Sequence, residues 1–431
     1  MARGWDENAG VGQRSQDDDD GEDPTGVDSL RDEGPELGHL KPVGAFGHYE
    51  ILGRLGAGGM SEIFLARDSL GDAKVKHLAI KCLTEELEED ANSVVMFLDE
   101  ARLANRLYHP NVCHVYESGE IDGMHYMAME WVHGPSLRRL IRRAAQTRPV
   151  PIPIAVRILV QVARALDYVH GARGEGDKPL NIVHRDVTPQ NIVIGWNGTV
   201  KLLDFGIAKS AAQYARTRAG VVKGKYAYMS PEQWQSERLD KRTDVFALGI
   251  CLYELLTLRP LFHRESVVAT LSAVTTEQQA PLHEVDAAIP RELSDVVERA
   301  LAKDPLDRWE SAGAMEDALD QLSQRQGASV TAPDIAAFLS TIFTEEDMSP
   351  LPRPTRQTGS HLSGVLGGVD PFGKADPMTP PSVPSLISSR PPPPVVSAPA
   401  PPGRATLPWL PFVLTVIASA AVTGGIIWLL G

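Results

Sequence analysis

One lysine constrains the fold of this chain more than any other residue. In Leu78-Ala79-Ile80-Lys81-Cys82-Leu83 it interrupts an otherwise apolar, strand-like run. An ammonium buried without a partner is costly, so a fold that buries this strand must bring an anion to Lys81. The next helical pattern offers one. Phe97, Glu100, Ala104 and Leu107 fall at the three-and-four spacing of a single helix face, which sets Glu100 as a carboxylate in an apolar stripe. Each odd charge accounts for the other, and a Lys81 to Glu100 pair is expected.

Composition bounds the rest. At about 100 to 200 residues per domain, 431 residues allow two to four units. With 42 Lys+Arg against 56 Asp+Glu the net charge is −14, which argues against a partner nucleic acid held on a basic face. The acidity is local: positions 1 to 40 hold 12 Asp/Glu and 3 Lys/Arg. Cys82, Cys113 and Cys251 are odd in number, far apart and without a CxxC spacing, so neither a disulfide framework nor a cysteine zinc site is expected, and a reducing cytoplasm fits. No apolar run follows a basic start at the N-terminus, so no secretory signal is expected.

Along the chain, residues 1–47 form an acidic tail with no apolar periodicity, expected to be disordered. Apolar residues are spread evenly over 48–322, first in short runs broken by glycine and then in helical patterns, and this stretch is the expected globular body. Residues 323–346 carry a short amphipathic stretch, Ala332 to Phe343, expected to pack on that body as a helix. A proline-rich linker over 347–406 reads as a spacer without a core; 17 of the chain's 33 prolines lie between 350 and 411. Residues 407–430 are uncharged, and as a helix they would span about 36 Å, enough to cross a hydrocarbon core of about 30 Å. Trp409 and Trp428 sit near the two ends of that run, as interfacial aromatics do.

Between 351 and 406, Arg353, Arg356, Lys374, Arg390 and Arg404 face only Asp370 and Asp376. The positive-inside rule then predicts a single-pass protein of the inner (cytoplasmic) membrane with its globular body in the cytoplasm. Ala420 and Gly424, four apart, give a small-residue face on which two such helices could form a dimer. Only Gly431 follows, so a signal is expected from the cytoplasm or the bilayer rather than from outside.

Three further segments carry chemistry. Leu55-Gly56-Ala57-Gly58-Gly59-Met60-Ser61-Glu62-Ile63 is a glycine-rich turn between strand-like runs, where the backbone can approach an anion closely. Val183-His184-Arg185-Asp186-Val187-Thr188-Pro189-Gln190-Asn191 sets polar groups on a loop between apolar flanks. After it, Asn197-Gly198 signals a hairpin, followed by the strand Val200 to Leu203 and then Asp204-Phe205-Gly206. That hairpin folds the chain back, so Asn191 and Asp204 can converge on one hard cation while Asp186 is left as a base.

In their order, these segments resemble the protein kinase superfamily, specifically the bacterial eukaryotic-like serine/threonine kinases, over roughly 275 residues from about 48 to 322. The resemblance implies an α+β, two-lobed protein kinase fold with a mainly β N-lobe, a mainly α C-lobe, and ATP between them. It further implies that Leu55, Gly56, Ala57, Gly58, Gly59, Ser61, Ile63 and Ala79 border the nucleotide, with Gly56 and Gly58 over its phosphates. Lys81 would hold the α and β phosphates and Glu100 would orient Lys81. The hinge Met129-Glu130-Trp131-Val132 would bind adenine through Glu130 and Val132. Asp186 would accept the proton of the substrate hydroxyl, and Asn191 and Asp204 would bind Mg2+. Glu232 of Ser230-Pro231-Glu232 would pair with Arg308, and Asp244 would brace the loop that carries Asp186.

The chain departs from the family pattern at three positions. Ser61 replaces the third glycine of the turn. Thr188 stands where most serine/threonine kinases have a lysine, and Lys225 where they usually have a threonine. The two changes are either a reciprocal exchange that keeps one ammonium and one hydroxyl beside Asp186, or independent drift. The implied function is transfer of the ATP γ-phosphoryl group to Ser or Thr hydroxyls of a protein substrate by a membrane-anchored signalling enzyme. The alternative is a membrane-tethered pseudokinase scaffold. Thr217, the only threonine between Asp204 and Ser230, is the candidate site of an activating phosphate that pairs with Arg185.

Overall fold

The structure, a computed structural model, describes residues 40–58, 60–70, 77–205, 225–327 and 329–351. Gly59, Gly206, Thr217 and the 407–430 run lie outside them. No helix among the described residues is long and apolar enough to cross a membrane.

The first lobe is a six-stranded antiparallel sheet in the order β1-β2-β3-β4-β6-β5. Its strands are β1 (Gly44–Phe46), β2 (Tyr49–Ala57), β3 (Ser61–Asp68), β4 (Leu78–Leu83), β5 (Val115–Ile121) and β6 (Met124–Glu130). Helices α1 (Glu85–Glu88) and α2 (Ala91–Ala104) lie between β4 and β5. Every residue of β4 is buried, because one face packs on α2 and the main core while the other closes on side chains of the sheet's own strands. Leu78, Ile80 and Cys82 join an outer cluster around Phe46, Phe64 and Tyr126, whereas Ala79 and Leu83 join the main core with Phe97 and Ala101 of α2. The two-residue period therefore turns Lys81 toward α2.

The second lobe is helical: α3 (Leu137–Gln146), α4 (Ile152–His170), α5 (Pro231–Gln235), α6 (Arg242–Thr257), α7 (Val267–Thr276), α8 (Leu282–Val285), α9 (Arg291–Ala300), α10 (Ala312–Arg325) and α11 (Ala332–Ile342). Eleven of the 19 residues of α4 are buried, too many for one stripe, because α4 is packed by α6, by α10 and by the small hairpin of β7 (Ile192–Ile194) and β8 (Val200–Leu202). That hairpin carries the polar loop to the interface between the lobes.

Two findings differ from the sequence reading. β1 lies inside the stretch expected to be disordered; it pairs with β2, and Phe46, fully buried, meets Tyr126 edge-on at 5.5 Å. At the other end, Asp347 to Leu351, expected to open a spacer, pack on both lobes: Arg139 and Arg143 hold Asp347, and Leu351 joins Leu52 and Leu65. The helix expected from Ala332 is present, with Ile335, Phe338, Leu339 and Ile342 buried in the main core.

Candidate active site

Lys81 is held by two carboxylates. Its Nζ donates to Glu100 Oε1 at 3.0 Å and to Asp204 Oδ1 at 2.8 Å. Burial alone would depress its pKa, but the charges of Asp204 and Glu100 outweigh that and raise it, so the ammonium is kept. Glu100 is thus the partner that the apolar stripe of α2 demanded. Asp204 follows β8 in a left-handed backbone conformation, φ 53°, a strained setting for a side chain that has to turn toward Lys81.

The polar loop before β7 is fixed from behind. Asp244, buried at the start of α6, accepts hydrogen bonds from the backbone N–H of His184 at 2.7 Å and of Arg185 at 2.8 Å, and from His170 Nε2 at 2.8 Å. Burial works against its charge, yet the His170 bond and charge keep its carboxyl below the usual range. Arg185 takes a left-handed φ of 64° next to it. Asp186 itself is 4% exposed. Its Oδ2 accepts from Asn191 Nδ2 at 2.8 Å and from Lys225 Nζ at 3.1 Å. The Asn191 amide also donates to the Asp186 carbonyl, so its NH2 is engaged and its carbonyl oxygen is the end that can face a cation.

Lys81, its two carboxylates and Asn191 converge on a cleft of about 1160 Å³ between the lobes. Leu55, Gly56, Ala57, Gly58, Ser61, Ile63 and Ala79 line it from the sheet, and Lys81, Glu100, Asn191, Asp204 and Lys225 supply its charged and polar side. Glu130, Trp131 and Val132 close its back; the Glu130 side chain is tied away to Lys201 at 2.7 Å, which leaves the backbone to face a ligand. A side chain at Gly56 would meet nothing within 4 Å, so Gly56 stands over open space. Two hard oxygen ligands, from Asn191 and Asp204, border the same cleft and suit a magnesium ion.

Asp186 and Thr188 do not line this cleft. They border an adjoining pocket of about 10 Å³, shared with Lys225. The ammonium expected beside Asp186 is there, whereas the Thr188 hydroxyl is buried with no hydrogen-bond partner among the described residues. The sequence reading gave no site role to Val193 and Leu203, apolar lining of the cleft whose place in and beside the short strands was the available signal, nor to the segment from Thr344 to Leu351.

The protein kinase domain model matches residues 49–320. The chain belongs to the protein kinase family. Among relatives of this kinase, it is 39% identical over 349 residues to the tyrosine-protein kinase MasK of Myxococcus xanthus, covering 78% of this chain and 54% of that one. It is 35% identical over 270 residues to the serine/threonine-protein kinase PrkC of Bacillus subtilis, covering 63% and 40%. The crystal structure of the Mycobacterium tuberculosis PknI kinase domain superposes with a TM-score of 0.51 at 27% identity, covering 65% of this chain and 99% of that one. The kinase spans about half, or less, of the length of the curated relatives named here.

The kinase domain also holds an ion pair away from the cleft. Arg308 donates to Glu232 through Nη1 at 2.7 Å and Nη2 at 2.9 Å, and its remaining donors reach the carbonyls of Ala302, Lys303 and Arg242. Thr243 donates to the same carboxylate. Burial opposes the Glu232 charge, and Arg308 more than offsets it, so the carboxyl stays below its usual range.

Proposed function

We propose that the chain transfers the γ-phosphoryl group of ATP to Ser or Thr hydroxyls of a protein substrate. The observation that carries this reading is the convergence of Lys81, Asn191 and Asp204 on one cleft, with Asp186 held beside it by Asn191 and Lys225. The glycine turn covers the phosphates with backbone N–H groups, and Lys81, oriented by Glu100, binds the α and β phosphates. The Glu130 to Val132 backbone takes the adenine edge. Asn191 and Asp204 would hold Mg2+, which supplies charge neutralisation on the phosphates when bound. Asp186 accepts the proton of the attacking hydroxyl as its oxygen bonds to the γ-phosphorus and the bond to the β-phosphate oxygen breaks, releasing ADP. Lys225 steadies the Asp186 carboxylate. Catalysis here is positioning and electrostatics rather than covalent chemistry by the protein.

MasK is named for tyrosine and PrkC for serine and threonine, so tyrosine is the second reading. Phosphoamino-acid analysis of autophosphorylated full-length chain decides between them: phosphoserine or phosphothreonine is expected, phosphotyrosine alone would select the second reading, and no labelled product with magnesium present would favour the pseudokinase scaffold.

We also propose that residues 407–430 anchor the enzyme in the inner membrane with the kinase domain in the cytoplasm, from the uncharged run and the basic residues before it. Deleting 407–431 should move the protein to the soluble fraction with phosphoryl transfer intact, and a truncated chain still in the membrane pellet would refute the anchor. A phosphate on Thr217 is proposed to pair with Arg185, whose Nε is buried and without a partner among the described residues.

A further inference from the structure

The nucleotide cleft has a wall that lies beyond the matched kinase domain. After α11 the chain makes a short turn, Glu345–Met348, closed by Thr344 and Asp347: Thr344 Oγ1 donates to Asp347 Oδ2 at 2.9 Å. Two arginines of α3 then fasten the turn to the helical lobe. Arg139 Nη2 donates to Asp347 Oδ1 at 3.0 Å and to its carbonyl at 2.9 Å, and Arg143 Nη2 donates to Asp347 Oδ2 at 3.1 Å. One residue on, the Met348 carbonyl accepts from His133 Nε2 at 2.9 Å; His133 directly follows the hinge and is stacked on Trp131 at 4.7 Å.

Three residues farther, Leu351 is on the other lobe. It packs on the buried pair Leu52 and Leu65, against which Leu55 and Trp131 also pack. Gly53, in the middle of β2, is where Leu351 comes close: a Cβ at Gly53 would fall 2.8 Å from both Leu351 Cδ atoms. Glycine inside a strand is unfavourable without such a close approach, which gives Gly53 a reason to lack a side chain. Ser349, Pro350 and Leu351 line the same cleft as Lys81 and Val132.

We propose that residues 344–351 form a strap that completes the nucleotide site and limits how far the lobes part. The proposal rests on the cleft being the ATP site. Its physical basis is reach. Between Met348, bonded to the hinge side, and Leu351, seated on β2, three residue steps span at most about 11 Å even when fully extended. The sheet therefore cannot swing away from the hinge side without unseating Leu351. Nucleotide release, which needs that opening, is coupled to an apolar contact made by a segment outside the catalytic motifs. Leu351 is a positioning residue, since it acts by holding the wall of the site.

The test is direct binding of ADP to the full-length chain by calorimetry and stopped-flow release of a fluorescent ADP, for wild type, Leu351→Ala, Leu351→Met, Gly53→Ala and the Gly53→Ala/Leu351→Ala pair. Leu351→Ala should raise the Kd and the release rate about five- to tenfold, the scale of losing one partly buried apolar side chain. Leu351→Met should recover most of that. Gly53→Ala should weaken binding by displacing Leu351, yet add nothing once Leu351 is Ala, because the collision partner is gone. The KM for ATP should rise with the KM for the protein substrate unchanged. Kd and release rates within twofold of wild type in every variant would overturn the strap while leaving the kinase assignment standing. Failure of the wild type itself to bind ADP would overturn both.

Discussion

Two buried ion clusters among the described residues are finished in opposite ways. Arg308 and Glu232 have side chains 0% and 5% exposed, and every donor of the guanidinium is used, on both carboxylate oxygens and on three backbone carbonyls. Lys81, Glu100 and Asp204 are 10%, 14% and 31% exposed, and all three open on the cleft. The first cluster is sealed, so its charges can only hold protein to protein. The second leaves room for a phosphate and a cation among its charges. Chemistry is therefore expected at the open cluster and stability at the sealed one.

Substitutions can break this contrast. The largest effect belongs to the open side, where Asp186→Asn should lower kcat by about 10² to 10⁴ with little change in melting temperature, as loss of a positioned general base does. Steady-state kinetics beside a thermal melt checks this, and retained kcat would remove Asp186 from the reaction. On the sealed side, Arg308→Leu leaves Glu232 buried and unpaired and should cost roughly 3 to 5 kcal/mol of stability. Urea unfolding measures it; a loss below about 1 kcal/mol would mean that water reaches the cluster and that it is not sealed.

A smaller effect tests whether Thr188 and Lys225 act together. Lys225→Thr removes the ammonium 3.1 Å from Asp186, and Thr188→Lys puts a second cation near it. If the two positions are exchanged partners, the double variant recovers activity and the cycle on kcat/KM shows coupling of about 1 to 3 kcal/mol. Additive losses would make them unrelated changes.

The smallest effect sharpens the sealed side. Lys303 sits against Arg308, over the Phe262 ring at 4.5 Å, and burial followed by the Arg308 charge pushes its pKa down to about 8. The unfolded chain holds this proton up to an ordinary lysine pKa near 10.5, so between about pH 8 and 10.5 the unfolded state binds more protons and stability rises with pH. The gap in melting temperature by which Lys303→Met exceeds wild type should therefore narrow from pH 7.5 to pH 10. A constant gap would contradict the depressed pKa.

The open cluster was legible in the sequence because a charge in a buried strand forces a partner, and Glu100 was the carboxylate on the facing stripe. The hairpin signal was equally readable. Gly198 has φ 85°, β7 pairs with β8, and Leu203 N–H donates to the Asn191 carbonyl at 2.8 Å, which brings Asn191 beside Asp204. β1 was not legible: Gly44-Ala45-Phe46 is too short for periodicity, and it is ordered by Phe46 entering a cluster made by distant strands. Nor was the strap, since what fixes Asp347 is a pair of arginines some 200 residues earlier, while its own composition merges into the prolines that follow. The unpartnered Thr188 hydroxyl was beyond reach too, because burial without a partner depends on the packing around it.

The central claim, that the open cluster serves chemistry and the sealed one serves the fold, is tested most directly by Lys81→Met, with γ-phosphoryl transfer and melting temperature read on one full-length preparation. The account predicts transfer reduced by about 10² to 10³, the scale for one preorganised donor to a developing charge, with a melting temperature within about 4 °C of wild type. Transfer at the wild-type rate, or a melting temperature that collapses as expected for Arg308→Leu, would contradict it.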